Sequence, residues 1–483
     1  MPGDTELTRR GWLSPLVHLS NNWLSLIGVV LVTTASIFWL FLLPETLKTH
    51  SPPYIGILAF LIVPACFFIG LSLIPLGIRL EGRKEQHAGV YPSHFPPLTW
   101  RNHDLRKLVY FIGLTTAANL VITSQLTYGA INYMDSTAFC GLTCHTVMKP
   151  QYTAFQNSPH SHIECVKCHI GPGASWFVRS KLSGVRQVFA VAFHTYPRPI
   201  PTPVRNLRPA RETCETCHWP QKFDEDRMRV IRKYADDETN TLTKTVLLMK
   251  IGGGNGEIGI HGRHLGDGVR VVYTPTDNSR QTISKVEYTS RGSTTTYSSG
   301  DVSTGGLESR EMDCLDCHNR PSHSFQLPDR AVDRAMAEQL ISSELPFAKK
   351  QSVAILKTAY PASSDAAKEI PASFVTFYRT KYPDVYARQT SAVRGSAEAL
   401  LAIYQRNVFP EMNVQWGVYP NNLGHTDFPG CFRCHDGSHT SADGKTISQD
   451  CNACHNILAM DEANPKILTE LGIGEKKSNG DGQ

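Results

Sequence analysis

A pair of cysteines three apart with a histidine directly behind recurs along this chain. Five strict Cys-x-x-Cys-His copies are Cys165, Cys168 and His169; Cys214, Cys217 and His218; Cys314, Cys317 and His318; Cys431, Cys434 and His435; and Cys451, Cys454 and His455. A sixth copy, Cys140, Cys144 and His145, precedes them and carries one extra residue between its thiols. This spacing is the attachment signature of c-type haem: the thiols add to the haem vinyl groups and the adjacent His lies beneath the iron. Segments built around covalently held haem need little regular structure, because the haems themselves form much of the interior.

Two other uses of paired cysteines are open to such a chain. Cys431, Cys434, Cys451 and Cys454 also have the two-pair spacing of a zinc ribbon. A zinc ribbon needs no His after each pair, whereas all six pairs here have one. Disulfides within Cys-x-x-Cys would be strained and would leave the histidines without a role. Twelve of the 13 cysteines belong to the motifs, and the other, Cys66, lies in the apolar run LIVPACFFIG as a small membrane-helix residue. The formal charge is +5, from 48 basic and 43 acidic residues, and haem propionates would pull it towards the negative. No nucleic-acid partner is implied.

Three runs are long and apolar enough for a bilayer, which takes about 20 helical residues. They extend from Trp23 to Leu43, Tyr54 to Ile78 and Leu108 to Ala130. Asn119 and Gln125 in the third would have to face protein or quinone rather than lipid. Arg9 and Arg10 precede the first span; Arg79, Arg83, Lys84, Arg101, Arg106 and Lys107 lie between the second and third, against only Lys48 between the first and second. The positive-inside rule then makes the N-terminus cytoplasmic and puts everything after the third span outside, where haem is attached. The expected location is the bacterial inner membrane, multi-pass, with the haem region in the periplasm. TRRGWL also resembles a twin-arginine export signal, though a positive-inside anchor explains the same residues.

The expected architecture is a multihaem cytochrome c: three N-terminal transmembrane helices, then a mainly α and irregular periplasmic region with a small β insertion. Its parts are a cytoplasmic N-terminus (1–22), a three-helix anchor (23–130), haems one to three (131–227), a β-rich insertion (228–312), haem four (313–326), a helical scaffold (327–410), haems five and six (411–458) and a tail (459–483). Thr, Val and Tyr with turn residues mark the insertion. Helical apolar spacing marks the scaffold, which contains no His and so cannot ligate iron.

Electron-transfer haems usually have both axial positions filled. Eight histidines outside the motifs follow the third span: His160, His162, His194, His261, His264, His323, His425 and His439. The expected ligands among them are His160, His261, His323, His425 and His439, with His264 an equally placed rival of His261. His323 and His439, only five and four residues beyond a motif His, would serve an adjacent haem rather than their own. Met148, three residues past His145, is the candidate for the first haem.

The run STAFCGLTCHTVMKPQYTAFQNSPHSHIECVKCHIGPGASWFVRSKLSG resembles the start of the NapC/NirT family of membrane-anchored multihaem cytochromes. Shared are the membrane helix before the first haem, the Cys-Cys-His-Met cluster, the Ser-x-His before the second haem and the Trp and Lys after it. The resemblance covers residues 105 to 220 and is nearest to the larger six- or seven-haem members associated with extracellular respiration. It implies oxidation of menaquinol or another quinol at a site beside the first haem, and delivery of electrons to periplasmic redox cytochromes. Lys181 is the nearest match to the family's quinol-site Lys; Lys149, Asp135 and His162 are further candidates to receive protons. The chain departs from the family pattern in its three spans, its longer first motif and its added C-terminal motifs.

The expected function is anaerobic respiratory electron transport by a quinol dehydrogenase with six covalent haem c groups. One alternative is an electron-conducting subunit of a larger respiratory complex without its own quinol site. A catalytic multihaem reductase is the other; the lack of a Cys-x-x-Cys-Lys variant and the supply of distal histidines count against it.

Overall fold

Apolar runs of bilayer length form helices because every backbone group must be satisfied inside the segment. The computed structural model describes residues 13–46, 58–143, 145–170, 183–184, 186–187, 189–204, 207–219, 225–253, 259–300 and 307–473. Two units make up the chain: residues 1–143 with 164–193, and residues 144–163 with 194–483.

The first unit contains α1 (Leu13–Leu19), α2 (Trp23–Thr46), α3 (Val63–His87) and α4 (His103–Asp135). Its three membrane-length segments are Trp23–Leu42, Val63–His87 and His103–Leu126. The second starts later than the expected Tyr54: residues 54–57 lie outside the described residues and Leu58–Ile62 forms a π turn. Pro64 then sits in the first helical turn, where its missing N–H costs nothing. At the head of α4, the Asn102 side chain accepts from the N–H groups of Asp104 and Leu105 at 2.9 and 3.3 Å.

Small residues bring α2 and α3 together. A Cβ on Gly28 would lie 2.7 Å from the Gly70 carbonyl oxygen, and one on Gly70 would lie 2.8 Å from Leu31 Cβ. Such close approach maximises packing where no hydrophobic force acts between helices. Ser25 Oγ adds a hydrogen bond to the Ile74 carbonyl at 3.1 Å. Asn119 faces protein, donating to Thr33 Oγ1 at 3.1 Å, whereas Gln125 is exposed on α4. Beneath these helices His18 on α1 bonds Asp104 through Nδ1 at 2.7 Å and Glu85 through Nε2 at 3.3 Å, tying α1 to α3 and α4.

The second unit opens with α5 (His145–Gln156). It continues with β1 (Arg227–Tyr234), β2 (Leu242–Met249), α6 (Ile260–Leu265), β3 (Val269–Pro275), β4 (Ile283–Ser290), β5 (Ser293–Ser299) and β6 (Arg310–Glu311). The interval from 327 to 410 holds α7 (Pro328–Ala337), α8 (Ala348–Leu356), α9 (Ser363–Lys381), α10 (Pro383–Arg388) and α11 (Thr390–Asn407); β7 (His439–Ser441), β8 (His455–Glu462) and α12 (Lys466–Glu470) follow.

The strands of the expected insertion do not form a self-contained domain. One sheet has the order β1-β2-β8 and the other β6-β3-β4-β5-β7, so each borrows a strand from the C-terminal motif region. Met249 pairs with His455 and Ser299 with His439. An exposed edge of β2 or β5 would leave a row of unpaired backbone groups, and the late strands cover them. The expected tail from 459 therefore begins inside β8, and Ala459 and Leu468 are buried there.

The helices α7 to α11 bury Val332, Met336, Leu356, Phe374, Tyr378, Leu400 and Tyr404 in one core. Within it Lys349 Nζ reaches Asp333 Oδ1 at 2.6 Å, and the same carboxylate accepts the backbone N–H of Tyr234 at 3.0 Å, joining helices to β1.

Candidate haem sites

Four strict motifs open as a short helical turn, which puts residues i and i+3 on one side with i+4 beside them. These turns are Cys165–His169, Cys314–Cys317, Gly430–Arg433 and Cys451–Ala453, and motif three begins where the helix Ala210–Cys214 ends. The N–H of the motif His closes on the carbonyl of its first Cys at 2.7 Å for His218, 2.8 Å for His318 and 3.1 Å for His435. In motif four Asp313 and Asp316 form a reciprocal capping box that fixes the turn.

Four motif histidines face a second histidine. Ring centroids are 6.1 Å apart for His218 and His160, 6.3 Å for His318 and His261, 6.0 Å for His435 and His264, and 6.2 Å for His455 and His425. A metal–imidazole bond is about 2 Å. Two rings bound to one iron from opposite faces therefore have centroids about 6 Å apart, and all four pairs meet that separation.

Ring orientation gives a second, independent fit. Nδ1 donates to a backbone carbonyl in His160 (Pro321, 3.2 Å), His261 (Ile251, 2.6 Å), His264 (Ile260, 2.7 Å), His323 (Gln151, 3.0 Å) and His435 (Ser448, 2.7 Å). A carbonyl can only accept, so the proton sits on Nδ1 and the lone pair on Nε2, as metal-ligating histidines require. Burial lowers the pKa of His261, His264 and His318, favouring the neutral ring that binds metal. His425 is held in plane by stacking on Phe432, with centroids 4.3 Å apart.

His439 departs from the expectation that it is a ligand. It is 1% exposed within β7, and its ring nitrogens face Asp436 Oδ1 at 2.9 Å and the Ile283 carbonyl at 3.1 Å. Both partners are acceptors, so neither nitrogen is turned towards a metal. The place opposite His435 belongs to His264, three residues after His261 on α6. That i, i+3 spacing was the signal available in GIHGRHL: one short helix presents two rings to two different motifs.

Other expected residues fall as follows. His323 carries the carbonyl-anchored Nδ1 and lies 6.4 Å from Phe155. His162 is exposed, and His194 sits by Tyr196. Met148 is half-buried on α5, and Lys149 is exposed, its charge acting on Glu411. Cys144, Lys181 and the side chains of His145 and Asp135 lie outside the described residues.

Thiols of successive motifs are neighbours. Cys140 hydrogen-bonds Cys165, and Cys214 hydrogen-bonds Cys314. Cys317, pushed up to about 12 by burial, feels Cys431 and Cys434, and Cys454 feels Cys431. In the second unit motifs three, four, five and six therefore adjoin one another in chain order. Among the described residues no three His, Cys, Asp or Glu side chains converge on one point as a zinc site would require. Paired thiols, opposed imidazoles and anchored Nδ1 atoms fit haem c.

The family model described as "NapC/NirT cytochrome c family, N-terminal region" matches residues 103–199. The "Cytochrome c-type protein ImcH" of Geobacter sulfurreducens is 39% identical over 449 residues, covering 91% of this chain and 88% of the relative. No solved structure matches. With membrane-length helices ahead of repeated haem-attachment motifs, the chain belongs to the NapC/NirT cytochrome c family as a membrane-anchored multihaem c-type cytochrome that transfers electrons.

Proposed function

We propose that this cytochrome oxidises quinol of the bacterial inner membrane and passes the electrons through six haem c groups to periplasmic redox partners, cytochromes among them. The observation that carries the reading is the distance along the chain from membrane to first motif: α4 ends at Asp135 and Cys140 follows five residues later. Cys140 in turn touches Cys165, so the first two motifs meet in the unit that contains the membrane helices. A quinol dissolved in the bilayer would meet an acceptor there, at the membrane surface.

In this reading His160, His261, His264 and His425 are the distal ligands of haems three, four, five and six. His323 is a further ligand on the strength of its anchored Nδ1, and Met148 is the candidate at haem one. Axial sites filled on both faces suit electron transfer rather than chemistry on iron. Lys181, Lys149, Asp135 and His162 are the candidates to take up quinol protons on the periplasmic side.

Reduction of the purified, oxidised protein by a soluble menaquinol analogue tests the reading. Haem reduction by the quinol is expected. A protein that dithionite reduces fully but quinol does not reduce at all would overturn the quinol step and favour an electron-conducting subunit of a larger complex.

A further inference from the structure

The junction between the fourth and fifth motifs is tied on both sides. On one side α6 supplies His261 opposite His318 and His264 opposite His435, so ligands three residues apart on one short helix link the two sites. On the other side the residues between the thiols meet directly. Arg433, inside Cys431-x-x-Cys434, donates from Nη2 to the carbonyl of Asp316, inside Cys314-x-x-Cys317, at 2.5 Å. Its Nη1 reaches the Arg280 carbonyl at 2.9 Å and its Nε the Gly430 carbonyl at 2.9 Å. The planar guanidinium thus spends its fork on three carbonyls, a geometry that lysine cannot reproduce.

Asp316 is itself immobilised. It is 2% exposed, accepts from Tyr273 Oη at 2.5 Å and from the Asp313 N–H at 2.8 Å, and lies 3.5 Å from Arg310 and 3.7 Å from Arg280. Asn422 Nδ2 adds a further fixed contact, to the Asp316 carbonyl at 3.1 Å. Neither arginine nor aspartate is required by the attachment motif, whose intervening residues are free in type.

Resting on the electron-transfer reading above, we propose that Arg433 is the positioning residue for transfer between the fourth and fifth haems: it locks the two attachment loops at a fixed separation through the Asp316 carbonyl. The step it serves moves one electron between two irons, one losing what the other gains, with no bond or proton changed. Rates of such steps depend on separation, so a clamp on both loops sets the rate without touching either iron.

The experiment uses the full-length protein with His264→Met, whose thioether would lift the potential of the fifth haem and mark it. Flash photoreduction then follows the filling of that haem. Added Arg433→Gln is expected to leave covalent haem content and the low-spin spectrum unchanged while slowing the filling phase by about tenfold or more. Arg433→Lys retains the charge but not the fork and is expected to slow it similarly. Unchanged filling in the glutamine variant, or parental speed in the lysine variant, overturns the proposal; should the glutamine variant fail to fold, the lysine variant alone decides. If the wild type carries no haem at motifs four and five by intact mass, or His264→Met marks no haem, the underlying reading fails instead, and the two failures are told apart before Arg433 is altered.

Discussion

His264 and His439 differ in what their ring nitrogens face, and that difference predicts opposite mutant phenotypes. His264 gives Nδ1 to a carbonyl and turns towards His435, whereas His439 spends both nitrogens on acceptors inside a sheet. His264→Ala is expected to leave the covalent haem content unchanged and convert one haem from low-spin to high-spin, read by electron paramagnetic resonance. His439→Ala should leave every haem low-spin. It deletes one buried and one part-buried hydrogen bond, and should lower stability by roughly 1–3 kcal/mol in denaturant melts. A high-spin signal from the His439 variant, and none from the His264 variant, would reverse the assignment. The sequence could not separate them, because closeness to a motif says nothing about which nitrogen is free. His439 is disqualified by its pairing with Ser299, 140 residues earlier, which buries the ring beside β4.

At the scale of elements, the α2–α3 contact rests on missing side chains. Gly70→Leu would drive a branched side chain into Leu31 and the Gly28 carbonyl, an overpacking worth about 1–3 kcal/mol. Lower yield of folded protein in membranes and a lower detergent melting temperature are expected, with Gly113→Leu, where no atom lies within 4 Å, as the unaffected control. The docking of α1 adds a pH dependence. The hydrogen bond to Asp104 raises the His18 pKa above 6.5, burial opposes this, and Glu85 adds to the rise. A pKa raised on folding stabilises fully below the unfolded value and fades as pH climbs through the folded one. Thermal stability in detergent should therefore fall as pH rises above about 6.5, with a smaller fall in His18→Gln; identical profiles would remove His18 from that role. The buried Lys349–Asp333 pair behaves differently. Asp333→Ala strands an ammonium in the helical core and should cost about 3–5 kcal/mol, measured by urea unfolding. The membrane helices were legible because runs of about 20 apolar residues have few soluble alternatives. The sheets were only half legible: Thr, Val and Tyr between turn residues marked β2 to β5, but nothing local says that β2 takes β8, more than 200 residues later, as its neighbour.

At the scale of the whole molecule, everything depends on where electrons enter. The five strict motifs begin at Cys165, 30 residues beyond the end of α4. Of the motif cysteines, Cys140 and Cys144 come earlier in the chain, nearer the end of α4 in sequence. Their extra intervening residue falls in a π turn, Phe139–Thr143, whose wider loop absorbs an insertion without breaking a regular ladder. On the proposed periplasmic side, two idle thiols would be exposed to oxidation, whereas thioether bonds remove that exposure. Cys140 also touches Cys165, which places the first attachment point beside the second. Replacing both Cys140 and Cys144 with Ala should therefore lower covalent haem content by one in intact mass and abolish reduction by quinol. The remaining haems should still be reducible by dithionite, because their attachment and ligands do not depend on motif one. An unchanged haem mass would show that the longer motif binds no haem. One haem fewer with quinol reduction intact would move the entry point to His169 and its thiols.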